Sequence, residues 1–183
     1  MKRMLAVIAV VVLLAPIVAA QAPSFGVGAF GGLDIPVLQD DQGQGTIFGL
    51  RGRIRVLPIV TIEPNVSFTK WGDPELGIAG VTNDLDGSKV TFYGVDGTLG
   101  APLAGPGFRV FAIGGIGFYK VKRDQTGEDD TDLGYSGGVG FGLGLSPLIG
   151  IDLRGKFHVV PIDGGGSRKS VSAVLGLNYA FGR

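Results

Sequence analysis

His158 is the only histidine in this chain and the side chain best suited to proton transfer. A serine nucleophile would need such a base within hydrogen-bond reach. On the segment carrying His158, the next position on the same side is Val160, not a serine. Ser170 or Ser172 can approach only if a neighbouring segment carries one there, a coincidence that any serine-bearing neighbour can meet. The sequence therefore reads His158 as a solvated or networked histidine and assigns no catalytic residue. Oxygen ligands gather in Asn83-Asp84-Leu85-Asp86-Gly87 and in Glu128-Asp129-Asp130-Thr131-Asp132. Neither stretch completes the ~12-residue calcium loop, and Asp-Gly is a common turn signal. Both read as solvated loops, with no metal site. Gly164-Gly165-Gly166 precedes Ser167, Arg168 and Lys169, but a strand-like segment follows where a phosphate-binding loop needs a helix, so no cofactor is expected.

Composition narrows the classes further. The chain has 183 residues, the length of one domain, and 34 are glycine. That is well over twice the usual ~7%, without the period of collagen. Hydrophobic residues make up 45%, too many for a disordered chain. The absence of cysteine excludes disulfide scaffolds, thiolate metal sites and cysteine nucleophiles. Sixteen basic residues balance sixteen acidic ones, which argues against a nucleic-acid partner held by phosphate neutralisation.

Lys2 and Arg3, the apolar run Met4 to Leu14, Pro16 and the small residues Val18-Ala19-Ala20 have the layout of a secretory signal peptide. Residues 1–20 are expected to be removed, with Gln21 opening a mature domain over 21–183 that carries fourteen basic and sixteen acidic residues.

The elements that position the remaining side chains are strands. Alternation with period two marks eight segments, at 24–35, 46–57, 59–71, 88–101, 107–120, 132–145, 148–160 and 168–181. In the third, Val60, Ile62, Val66 and Phe68 alternate with Thr61, Glu63, Asn65, Ser67 and Thr69. Connections after segments two, four and six are short, around Leu57-Pro58, Pro102–Pro106 and Ser146-Pro147. Those after one, three, five and seven, at 37–45, 73–87, 121–131 and 161–169, are longer and polar. This is an up-and-down antiparallel meander, which closes as a soluble ligand-binding barrel or a transmembrane one.

The two barrels differ in which face is apolar. On the apolar face, Phe48, Phe68, Tyr93, Phe118, Tyr135 and Phe157 fall toward the long loops, and Phe25, Phe108, Tyr179 and Phe181 toward the short turns. Two aromatic belts are expected where rings sit at two membrane interfaces; a soluble core does not sort its aromatics. The other face carries Arg51, Arg53, Arg55, Glu63, Asp96, Asp152, Arg154 and Lys156, too much charge for the lining of a soluble calyx. A turn at Leu57-Pro58 sets Arg53 opposite Glu63, Arg51 opposite Asn65 and Arg55 opposite Thr61. A turn at Ser146-Pro147 sets Gly142, Gly140 and Gly138 opposite Asp152, Arg154 and Lys156, small residues making room for long ones. Phe30, Phe92 and Phe111 share this facing. Pro64 sits within the third segment, and a closed barrel has no free edge to absorb its missing N–H, so a bulge or a different register is expected there.

The opening Phe25-Gly26-Val27-Gly28-Ala29-Phe30-Gly31-Gly32-Leu33-Asp34-Ile35-Pro36 and the closing Gly176-Leu177-Asn178-Tyr179-Ala180-Phe181 resemble the small eight-stranded outer-membrane barrel proteins, of the OmpA/OmpX and opacity-like kind. The resemblance spans the mature chain. It implies an all-β fold, an eight-stranded antiparallel up-and-down transmembrane β-barrel in the bacterial outer membrane. The final strand resembles the family's C-terminal assembly signal, which implies the barrel assembly machinery and outer-membrane lipids as partners. Gly182 and Arg183 after the terminal aromatic depart from that signal. The implied function is structural or surface-interacting: four extracellular loops on a filled, lipid-embedded scaffold, with the loops' partner left open. The alternatives are a narrow channel or minor porin, a secreted soluble ligand-binding barrel, and a lipid-modifying enzyme of the His–Ser kind.

Overall fold

The computed structural model describes residues 24–37, 43–72, 89–100, 107–122, 129–162 and 165–181. The expected signal peptide, residues 73–87 and the connection at 102–106 lie outside them. Eight strands run in order: β1 Ser24–Val37, β2 Gly43–Leu57, β3 Val60–Gly72, β4 Lys89–Leu99, β5 Gly107–Lys122, β6 Asp129–Gly144, β7 Ile149–Pro161 and β8 Ser167–Phe181. Each pairs antiparallel with its neighbour in sequence, and β8 returns to β1, closing the barrel.

The strands run further toward the loops than the alternation signal suggests. β2 begins at Gly43, β5 continues to Lys122 and β6 starts at Asp129. There the outward face stops being apolar, but backbone pairing goes on, with Lys122 opposite Asp129. Apolar periodicity reports the buried or lipid-facing part of a strand and is silent on its solvated end.

Pro64 produces neither a bulge nor a shifted register. β2 and β3 keep one register from Thr46↔Lys70 through Arg55↔Thr61, and the irregularities fall at Gly43/Gly45 and Arg55/Leu57. On the β4 side Pro64 pairs with Val95. On the β2 side the ladder skips Gly52 and Arg53. The missing N–H therefore points at β2, where it removes local rungs without adding a residue.

The barrel is inside-out relative to a soluble protein. Phe108 is 67% exposed and Leu50 61%, whereas Glu63 is 0% exposed and Arg154 2%. Burying charge while presenting a continuous apolar exterior is favourable only when the surroundings are apolar too.

Candidate functional site

Every second residue of each strand faces the lumen, and the charges brought there form two linked groups. In the first, Arg53 Nε donates to Glu63 Oε1 at 2.8 Å. Arg154, from the far wall, donates from Nη1 to Glu63 Oε2 and from Nη2 to Asp152 Oδ2 at 3.0 Å. Arg51 Nη2 reaches both oxygens of Asp152, at 2.7 and 2.9 Å, and Arg51 Nε donates to Asn178 Oδ1 at 3.1 Å. In the second, Lys156 Nζ donates to both oxygens of Asp96, at 2.9 and 2.8 Å, and Asn65 Nδ2 adds a bond to Asp96 Oδ2 at 3.1 Å. Three cations also stack on rings of the same facing: Arg51 over Phe30 at 5.3 Å, Arg154 over Phe111 at 5.1 Å and Lys156 over Phe92 at 5.8 Å.

Of the eight charges the sequence places on this face, seven are joined in these contacts. Arg55 shares the facing but stands apart toward the turn, half-buried, and its Nε has no hydrogen-bond partner. The β6 glycines stand opposite Asp152, Arg154 and Lys156 as the turn requires. The room at Gly140 is taken by a ring, because a Cβ there would overlap Phe111, which in turn carries Arg154. Glycines on other strands make room for the charges directly. A Cβ on Gly115 would overlap Asp96, and one on Gly176 would overlap Arg51 and stand 2.6 Å from Asp152 Oδ1.

Toward the loops the lumen changes character. Trp71, Val90, Phe92, Tyr119, Val121 and Val160 pack into an apolar cluster. Trp71 Nε1 donates to Asp34 Oδ2 at 2.8 Å. Tyr119 Oη lies 2.9 Å from His158 Nδ1, and His158 Nε2 lies 2.8 Å from Ser172 Oγ. His158 is directly opposite Ser170, but its hydrogen bond goes to Ser172, the next lumen-facing residue of β8. The sequence considered both serines without deciding between them. It did not single out the apolar cup, although Trp71, Val121 and Val160 share parity with lumen-facing residues of their own strands. A cavity of about 40 Å³ remains among Asp34, Trp71, Phe92, Tyr119 and His158, more than the ~10–15 Å³ that one water needs. Ser172 is 2% exposed. The third member of its relay is a phenol, not the carboxylate that orients and stabilises an imidazolium in a hydrolytic triad.

The ten aromatics assigned to the two belts are all exposed on the outside of the barrel. Phe48 and Phe68 stand opposite each other with ring centroids 5.5 Å apart, and so do Tyr93 and Phe118 at 5.6 Å. Tyr135 and Phe157 are exposed on the same loop-side half. At the turn side, Phe25 is opposite Phe181, Tyr179 packs on Phe181 at 5.2 Å, and Phe108 stacks on Phe141 at 6.0 Å. Phe141 belongs with this group, although its sequence neighbourhood of glycines hides it.

A family model described as outer membrane protein beta-barrel domain matches residues 5–182. The chain belongs to this family. It is an outer-membrane β-barrel protein, and its apolar exterior faces lipid. Solved structures share the fold at low sequence identity. Neisserial surface protein A is matched at 13% identity and TM-score 0.67, over 88% of this chain and 100% of that one. The N-terminal β-barrel domain of Pseudomonas aeruginosa OprF is matched at 14% and 0.57, over 86% and 97%. A major outer membrane protein of Thermus thermophilus is matched at 15% and 0.52, over 88% and 100%. No curated protein sequence matches the chain.

Proposed function

We propose that this outer-membrane barrel is a non-catalytic structural and surface-interaction scaffold with a filled lumen. Residues 1–20 are its cleaved signal peptide and 21–183 its barrel domain, folded into the membrane by the barrel assembly machinery. The loops expected at 37–45, 73–87, 121–131 and 161–169, bounded by the strand ends to 38–42, 73–88, 123–128 and 162–166, face the outside, as long loops do in barrels of this class. Phe48, Phe68, Tyr93, Phe118, Tyr135 and Phe157 form the outer girdle, and Phe25, Phe108, Tyr179 and Phe181 the inner one.

The observation that carries the filled lumen is the chain of contacts from Arg53 through Glu63, Arg154 and Asp152 to Arg51, spanning opposite walls. Its side chains occupy the width that an eight-stranded barrel offers, which is only just enough for them. The apolar cup above adds a second obstruction. The relay of Tyr119, His158 and Ser172 acts as a buried hydrogen-bond support for the cup wall.

Planar-bilayer recording of the refolded protein tests this reading. The expected record has no steady conductance, and a large persistent one would replace the plug with a channel. Insertion is read separately: a folded barrel migrates differently on gels before and after boiling. Recovery in the soluble periplasm without that shift would overturn the membrane reading.

A further inference from the structure

The apolar cup at the loop end of the lumen holds the carboxylate of Asp34, on β1, which is 4% exposed. Asp34, Gly45 and Trp71 form one rung across β1, β2 and β3. A Cβ on Gly45 would stand 2.6 Å from Trp71 Cδ1, so the glycine gives the indole room to lie across β2. From there Trp71 Nε1 donates to Asp34 Oδ2 at 2.8 Å. Ser170 of β8 adjoins the same carboxylate. The second oxygen, Oδ1, is buried and accepts no hydrogen bond. A buried acceptor left bare is costly, and a buried charge without a partner is more so. Among the described residues no cation pairs with Asp34. Arg168, the buried cation that lines the cup, is joined to Asp130 and Asp132 instead, at 3.5 and 3.4 Å.

The cavity beside Asp34 sets the size and the charge of what would complete it. It measures about 40 Å³. At ~10–15 Å³ for each water-sized group, it admits about three, such as a nitrogen and two carbons. Trp71, Phe92 and Tyr119 form its apolar wall, and Ser67, Thr69 and Ser170 add hydroxyls to the lining. Aromatic rings attract a cation that sits over their faces. Water or a neutral donor would satisfy Oδ1 but leave the charge unpaired. An ammonium group does both, and its other two N–H bonds can be accepted by hydroxyl oxygens.

We propose that the cup binds a primary ammonium group on a short aliphatic chain, with its nitrogen donating to Asp34 Oδ1 and its carbons lying against Trp71, Phe92 and Tyr119. Phe92 and His158 line both the cup and the space around Asp96, Arg154 and Lys156, and so form the floor between them. The ligand therefore enters and leaves at the loop end and needs no open lumen. Arg168 by itself would repel a cation. Flanked by Asp130 and Asp132, it leaves the rim acidic, and an acidic rim draws cations in.

The test follows Trp71, the chain's single tryptophan, by indole fluorescence in the detergent-refolded barrel. A maltoside detergent and phosphate buffer keep other amines out. The probes are ethylammonium chloride, ethanol as its uncharged counterpart of the same size, and sodium chloride. Ethylammonium should give a saturable change, and the other two should give none at the same concentrations. Asp34→Asn keeps an acceptor for Trp71 but removes the charge. It should weaken ethylammonium binding at least about tenfold, the worth of one charge-assisted hydrogen bond. Asp129→Asn, at an exposed position opening β6, should bind as the wild type does. Gel mobility before and after boiling shows that each protein has folded. A folded wild type without a saturable change overturns the proposal, and so does an equal response to ethanol. Undiminished binding by Asp34→Asn, or equal losses in both Asp variants, overturns it as well. The ethanol comparison uses the wild type alone and decides even where a variant fails to fold. The filled lumen is read by conductance and not by this titration, so the two readings fail separately.

Discussion

Glu63 and Arg154 lie on facing walls of the lumen, 91 positions apart in the chain, and meet in a fork-to-fork contact: Arg154 Nη1 donates to Oε2, and Nη2 to Oε1 at 3.2 Å. Glu63 accepts from Arg53 as well, at 2.8 Å. One carboxylate thus serves two guanidinium groups in a region closed to solvent. Two-point contacts of this kind fix the orientation of both partners, and here they tie β2 and β3 to β7.

Glu63→Ala should be the most damaging single change in the lumen. It leaves Arg53 and Arg154 buried without this carboxylate, and breaking a buried pair typically costs about 3–5 kcal/mol. Asp130→Ala, which removes a half-exposed partner of Arg168, should cost under about 1 kcal/mol. Denaturant or thermal unfolding of the two refolded variants makes the comparison. Equal losses would mean that water reaches Glu63.

Gly176→Val should destabilise by about 1–3 kcal/mol, the usual cost of overpacking. The added carbons would push into Arg51 and Asp152, whose positions are held by their own hydrogen bonds. Gly137→Val is the control, since a Cβ there meets nothing within 4 Å. It faces outward and should be neutral or slightly stabilising by unfolding midpoint.

Ser172 should fail to react with a fluorophosphonate serine probe, because it is enclosed and its histidine is tied to a phenol. His158→Phe should lower the unfolding midpoint without removing any esterase signal above background. Stoichiometric labelling of Ser172 that disappears in His158→Phe would make the relay catalytic.

Proteases added to intact cells should cut within 73–87 or 123–128, which are polar and join strands at the loop end, in keeping with the vulnerability of exposed loop tips. The tight turn at Ser146, closed by Leu145 N–H and Ser146 N–H donating to Ile149 O, should be spared. Cuts at that turn with the long loops intact would invert the orientation.

Much of this barrel is legible along the chain because two rules suffice for it. Alternation with period two assigns each residue to one face, and a short turn sets the register of the strands it joins. Those rules alone place Arg51 opposite Asn65, Arg55 opposite Thr61, Gly140 opposite Arg154 and Gly142 opposite Asp152. They separate lumen from exterior at every position of the charged set, Arg55 included. They are blind where polar residues extend a strand past its apolar portion, as at Lys122 and Asp129, because pairing there is carried by backbone and leaves no hydropathy trace.

Contacts across the lumen belong to the tertiary structure. The meeting of Glu63 with Arg154, of Arg51 with Asp152 and Asn178, and of His158 with Tyr119 depends on strand tilt, stagger and the closure of β8 on β1. Facing and local register say that these residues share an interior. They do not say at what height strands two to four apart in the wall bring their side chains together. The same applies to the apolar cup, whose members come from β3, β4, β5 and β7 and become one cluster only when the wall has curved around them. The sequence determined which residues point inward. Barrel curvature and stagger decided which of them touch, because both are properties of the closed sheet and of no single strand or turn within it.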